Sequence, residues 1–143
     1  MIEQQLHLEF DKTFHAYALW KPNNRASGWP DRAIQIGSSI VWCELKITHM
    51  RKDGRILLSN FEREQAAFMY KWSRNGGSCF ILFAVLDKAG QEKLGYGIVR
   101  PLFFSDWLMV RQKLYSLIDL DLFADNMKEV LEWFKHTYGK LAI

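Results

Sequence analysis

Cysteine and proline are scarce in this 143-residue chain, with two of the first and three of the second. Neither Cys43 nor Cys79 belongs to a Cys-x-x-Cys pair, and both lie inside apolar, strand-like runs. That argues against a disulfide scaffold and a cysteine metal knuckle, and predicts buried free thiols. The four histidines (His7, His15, His49 and His136) are scattered without zinc-site spacing. No apolar run approaches the ~20 residues of a membrane span. The N-terminus lacks the basic-then-apolar pattern of a signal peptide, which predicts a cytoplasmic protein. Charge of one sign is also in short supply: the net value is +3, so the position of the basic residues matters more than their sum.

What the chain does have is apolar and aromatic side chains, at 49% and 15%. This composition and length suit one globular domain over 1–143, with a core over about 1–100 and a C-terminal helical extension over about 101–143. No internal repeat or low-complexity linker interrupts it. The apolar pattern predicts a helix over 2–14, with Leu6, Phe10 and Phe14 on one side. A strand over 15–20 and a breaker-rich loop over 21–30 follow. Strands are expected over 31–36 and 39–47, joined at Gly37-Ser38 by a type II′ hairpin turn. A basic loop occupies 48–58. Ser59 and Glu62 have the spacing of a capping box for a helix over 60–74, ended by Gly76-Gly77. The continuous apolar run 79–86 reads as a central strand. Another strand near 94–99 precedes helices over 105–118 and 124–138. The fold class is therefore α/β (α+β): a mixed β-sheet flanked by helices, with extra C-terminal helices.

The hairpin carries the most informative pattern. A two-residue loop at Gly37-Ser38 sets Ile36 against Ser39, Ile34 against Val41 and Arg32 against Cys43. Asp31 then lies opposite Glu44. Ile34, Ile36, Val41, Cys43, Leu45 and Ile47 make one apolar face, and Asp31, Glu44 and Lys46 share the other. A one-residue slip would turn the carboxylates into the core. Opposed like charges repel, so a cation is expected between them. Lys46 supplies one positive charge, and magnesium suits a pocket with few carboxylates. Such an ion activates water and neutralises a scissile phosphate, and a lysine beside it stabilises the developing charge.

Gly28-Trp29-Pro30-Asp31 followed by Glu44-Leu45-Lys46 resembles the P-D…(D/E)-x-K motif of the restriction-endonuclease-like nuclease superfamily. Leu58-Ser59-Asn60-Phe61, Gln65 and Gly76-Gly77-Ser78-Cys79-Phe80 are similar to Holliday-junction resolvases of the RecU type and to virus-type replication-repair nuclease domains. The resemblance covers roughly residues 15–86. It implies a restriction-endonuclease-like fold, with Asp31, Glu44, the backbone carbonyl of Leu45 and an acidic residue of the first helix as metal ligands. Glu3 is preferred to Glu9 for that place, because it shares a side with Leu6 and Phe10. Lys46 would be the catalytic lysine, with Gln65 beside the site. The implied cofactor is Mg2+, for which Mn2+ substitutes.

The expected activity is magnesium-dependent, structure-specific cleavage of DNA in recombination or repair, in the manner of a junction resolvase. Branched DNA is the expected partner, and symmetric cutting of a four-way junction implies a two-fold homodimer. A nicking or flap nuclease of replication-repair type is one alternative, and a non-catalytic DNA-binding module is another. The small size is compatible with a phage or mobile-element origin. Two basic loops are candidates for phosphate contact: Lys21, Asn23, Asn24, Arg25 and Ser27 before the motif, and Arg51, Lys52 and Arg55 after it. Trp29 is the candidate for stacking on distorted DNA.

Overall fold

A computed structural model describes residues 1–22 and 28–139. The elements run α1 (Glu3–Thr13), β1 (Ala18–Trp20), β2 (Arg32–Ile36), β3 (Ser39–His49), β4 (Arg55–Leu57), α2 (Arg63–Arg74), β5 (Ser78–Leu86) and β6 (Lys93–Val99). A 3-10 helix (Phe104–Gln112), β7 (Leu114–Ser116), a short 3-10 turn (Leu117–Asp119), β8 (Leu122–Ala124) and α3 (Met127–Tyr138) complete the chain. Six strands form a mixed sheet in the order β1-β2-β3-β5-β6-β8, and β4 pairs with β7 in a separate ribbon. Only the β3–β5 pairing in the large sheet is parallel. The architecture is the mixed, helix-flanked α+β sheet expected from the pattern. No helix among the described residues is long and apolar enough to cross a membrane.

The hairpin register is the one that alternation demands. Arg32 faces Cys43, Ile34 faces Val41 and Ile36 faces Ser39. Gly37 sits at φ 58 while Ser38 does not have a positive φ, as a type II′ turn requires. β5 is buried along nearly its whole length and lies between β3 and β6. That explains its unbroken apolar sequence: a strand covered on both faces has no polar side to show.

Both faces of the sheet are covered. Leu6 and Phe10 of α1, its C-cap Phe14, and Val130, Phe134 and Tyr138 of α3 pack on Ile34, Val41, Cys43, Leu45, Phe80 and Leu82. On the other face, Ala66 and Met69 of α2 join Phe61, Trp107 and Val110 over Ala33, Trp42, Ile81 and Phe83. The second face of the hairpin is thus not open to solvent. Glu44, Lys46 and Thr48 are buried on it, which corrects the expectation that the working register keeps the carboxylates out of the interior.

Three local expectations are also corrected. Helix α2 begins at Arg63 with Glu62 as N-cap, and Gln65 Oε1 accepts from the Glu62 N–H at 3.0 Å. Ser59 instead belongs to the preceding turn, where the Phe61 N–H donates to Leu58 O. The helix does end at Gly76-Gly77, whose N–H groups donate to Ser73 O and Trp72 O in a Schellman arrangement. The region 105–118 is a 3-10 helix followed by β7, because Tyr115 pairs with Ile56 and the chain cannot stay helical there. Residues 122–124 form edge strand β8 against β6, so the last helix does not open at residue 124 as expected but at Met127. The C-terminal third therefore closes the sheet and supplies α3 to the core, rather than forming a purely helical extension.

Candidate active site

Asp31 stands where β2 begins, held there by the chain on either side. Gly28 lies at φ 93, with its Cα against the first turn of α2; a Cβ there would come 2.5 Å from the Glu64 carbonyl oxygen. Only glycine fits that approach. Pro30 is buried and faces Leu45 if the ladder register is extended by two residues. A residue's N–H and C=O leave a strand on the same edge. The Leu45 N–H donates to Asp31 Oδ2 at 3.0 Å, so its carbonyl faces the same side, where Pro30 has no N–H to offer. The Leu45 carbonyl is thereby directed toward the Asp31 edge.

The two carboxylates are tied across the hairpin. The Asp31 N–H donates to Glu44 Oε1 at 3.1 Å, reciprocating the bond from Leu45 to Asp31. Lys46 Nζ lies 3.2 Å from Glu44 Oε2, and the two side chains are 9% and 1% exposed. That approach lacks hydrogen-bond geometry, and Glu44 Oε2 is a buried oxygen with no hydrogen-bond partner. Burial pushes the Glu44 carboxyl well above the ordinary carboxylate range, the neighbouring Asp31 charge adds to the rise, and Lys46 opposes it. An ionised Glu44 thus sits in an environment that calls for more positive charge than Lys46 supplies.

Helix α1 brings a further group to Asp31. His7 Nε2 lies 3.8 Å from Asp31 Oδ2 and 3.9 Å from Glu3 Oε1. One ligand-type atom from each of Glu3, His7 and Asp31 falls within 4.8 Å of the others. The helix is fixed one turn further on: Asp11 accepts from Arg32 Nε at 2.7 Å and from its second terminal nitrogen at 3.0 Å, while another guanidinium N–H donates to the Asp31 carbonyl. These bonds hold the Asp11 carboxyl low against the burial that would raise it. Glu9 lies elsewhere, hydrogen-bonded by the Tyr96 hydroxyl. His7 escaped a search for histidine and cysteine spacings. The Glu3-x-x-x-His7 interval, which places both side chains on one helix face, is the signal that finds it.

The remaining candidates are more dispersed. Gln65 is half-buried, and its amide oxygen caps α2 rather than meeting the hairpin. Lys21 Nζ is 2.9 Å from Asp11. Asn23, Asn24, Arg25 and Ser27 lie outside the described residues. Trp29 is 38% exposed and packs edge-on to Trp20 and Trp42 with ring centres 5.9 Å away. Arg51 and Arg55 both approach Asp53, and Lys52 is exposed beside them. Their turn starts at Arg51, seven residues beyond Glu44, roughly 23 Å along the strand at ~3.3 Å per residue. The two cysteines are free and buried, and burial pushes the Cys79 thiol up to about 12.

No protein-family model and no curated protein sequence matches the chain. Among solved structures, it is similar to Archaeoglobus fulgidus Hjc, a Holliday junction resolvase from an archaeal hyperthermophile. That match has 14% sequence identity and a TM-score of 0.48, and covers 90% of this chain and 99% of the other.

Proposed function

We propose that this chain is a divalent-metal-dependent DNA endonuclease acting on branched DNA, with its active site at Asp31, Glu44 and Lys46. The observation that carries the reading is the buried, unpartnered Glu44 oxygen, tied through its carboxylate to Asp31 and lying beside an ammonium. Burying Glu44 beside a half-buried Asp31 with one lysine is unfavourable in an inert protein, because desolvation exceeds what a single counter-charge returns. A divalent cation resolves the imbalance. Asp31, Glu44 and the Leu45 carbonyl are the groups that would hold magnesium, or manganese in its place, and the all-oxygen donor set fits either ion.

When bound, the ion supplies activation of a water and neutralisation of charge on the scissile phosphate. The chain's own residues do the rest. Asp31, held by the Leu45 N–H, and Glu44, held by the Asp31 N–H, have their oxygens in place before substrate arrives. The Lys46 ammonium donates toward the phosphate as negative charge develops on it, from a nearly dry pocket where that interaction is strong. Arg32 fixes Asp31 through its carbonyl. Lys21, Trp29 and the Arg51–Arg55 turn are the described groups assigned to DNA contact, and Gln65 acts on the start of α2, whose N-cap it bonds. Two copies related by a two-fold axis would present two such centres to a four-way junction. A gel comparing linear duplex, flap and four-way junction DNA, with magnesium and with chelator, tests this. Magnesium-dependent cutting of branched substrates is expected. Chelator-resistant cutting, or none on any substrate with magnesium or with manganese in its place, overturns it.

A further inference from the structure

His7 has no part in the reading above, yet its position is unusual. Its Nε2 is buried and makes no hydrogen bond among the described residues, although two carboxylate oxygens lie near it. Glu3 Oε1 and Asp31 Oδ2 stand 3.9 Å and 3.8 Å away, too far for a hydrogen bond and too near for indifference. A buried ring nitrogen normally finds a partner. The spacing is that of ligands sharing an ion. Metal–ligand bonds of ~2.1 Å put octahedral neighbours about 3 Å apart and opposite ligands about 4.2 Å apart. The two His7 distances fall inside that range and the third pair lies within 4.8 Å, so small side-chain rotations bring the three atoms onto one ion; Glu3 and His7 are one helical turn apart, and Asp31 is fixed by Leu45 and Arg32.

We propose that Glu3, His7 and Asp31 form a divalent-cation site in which the His7 imidazole is a ligand, so that this centre prefers Mn2+ to Mg2+. Asp31 is common to this group and to the Asp31–Glu44 pair, which makes the site part of the proposed nuclease centre. The buried, unpartnered Glu44 oxygen next to Asp31 is a second, independent sign that positive charge belongs here. The imidazole decides the choice of ion. Carboxylate, carbonyl and water ligands suit magnesium and manganese alike, whereas a neutral ring nitrogen favours first-row transition metals. For Nε2 to bind, the ring proton resides on Nδ1. The Arg32–Asp11 clamp then acts as a positioning device: it sets where α1 lies against β2, and with it where His7 meets Asp31.

The site can be read without cleavage. Trace Mn2+ added to the wild-type protein should broaden the ring resonances of His7 well before those of His15, His49 and His136, which serve as internal controls. Loss of the free-Mn2+ electron paramagnetic resonance signal should report binding at least tenfold tighter than Mg2+ competition allows for an all-oxygen site. His7→Leu should weaken Mn2+ binding by about 10-fold to 100-fold, in the range seen when metal-site support is removed, and change Mg2+ binding far less. Glu3→Gln should weaken both ions. Equal broadening of all four histidines, no Mn2+ binding, or unchanged Mn2+ affinity in His7→Leu overturns the proposal. Broadening places the ion beside Asp31, and His7→Gln, which keeps a polar side chain without the imidazole, should show the same loss of Mn2+ affinity and decides the ligand role if His7→Leu fails to fold. Because the readout is binding, the two ideas fail separately: specific His7 broadening in a protein that cuts nothing would sink the nuclease reading alone. Magnesium-dependent cutting with an indifferent His7 would sink this one alone.

Discussion

Two acid–base pairs in this chain look alike on paper and differ in every physical respect. Asp53 and Arg55 meet at 2.9 Å on an exposed turn, with side chains 37% and 47% accessible. Glu44 and Lys46 meet at 3.2 Å with almost no access to water. At the turn, backbone and side-chain hydrogen bonds from Arg55 hold the Asp53 carboxyl low. In the sheet, burial drives Glu44 in the opposite direction despite its lysine. The exposed pair adds little to the stability of the fold, because water screens both charges. The buried pair is a standing cost to the fold unless something uses it. Function is therefore sought at the second pair.

The largest effect that separates the two concerns activity. Lys46→Ala and Asp31→Asn should each lower cleavage by about 100-fold or more, the loss typical of removing one stabiliser of developing charge. Circular dichroism should show the fold retained. Full activity in either variant would remove that residue from the chemistry and leave the buried pair unexplained.

Next in size is stability. Arg32→Ala breaks two bonds to Asp11 and one to the Asp31 carbonyl. Charged hydrogen bonds contribute ~1.5–3 kcal/mol each net, so thermal unfolding should fall by several degrees. An unchanged Tm would show that α1 is held by its apolar face alone.

A smaller effect, opposite in sign, is expected from Glu44→Gln. The raised Glu44 carboxyl means that the folded chain retains a proton which the unfolded chain gives up. This group's contribution to stability is therefore present at low pH and is lost as pH rises from the ordinary carboxylate range through the raised value. Glu44→Gln should remove that slope and raise the metal-free Tm by a few degrees at pH 8, while abolishing cutting. Melting curves from pH 5 to 8, with and without magnesium, provide the check. A wild-type profile matching that of the variant would mean that the buried carboxylate carries no electrostatic penalty.

The smallest change belongs to the exposed pair. Asp53→Ala should leave Tm within error. Arg55→Ala should leave the cleavage rate at saturating DNA unaltered and reduce the salt dependence of binding by about one counter-ion if it touches a phosphate. A large fall in Tm for either would erase the contrast between the two pairs.

The hairpin register was legible because a tight turn at Gly37-Ser38 and strict alternation leave one pairing that buries Ile34, Val41 and Cys43. The cover over the opposite face was not legible. Asp31, Glu44 and Lys46 read as a polar face, whereas Trp42 on that face clusters with Ala66 and Met69 of α2 and with Trp107 and Val110 of the 3-10 helix far along the chain. Local pattern cannot report a distant lid. The start of α2 was misread because Ser59-x-x-Glu62 and Glu62-x-x-Gln65 have the same spacing, and only the turn at Leu58–Phe61 decides between them. β7 and β8 are three residues each, and what makes them strands is pairing with β4 and β6. Asp31, Glu44 and Lys46 could be grouped from the turn alone. His7 could not, since its neighbour Asp31 is reached only through the packing of α1 on the sheet.

The most direct test is a crystal soaked in manganese and measured for anomalous scattering. An anomalous peak bound by the Asp31 and Glu44 carboxylates, with the Lys46 ammonium alongside, is the result this account predicts. Ordered side chains at millimolar manganese with no peak there, and Glu44 satisfied by Lys46 alone, would contradict it.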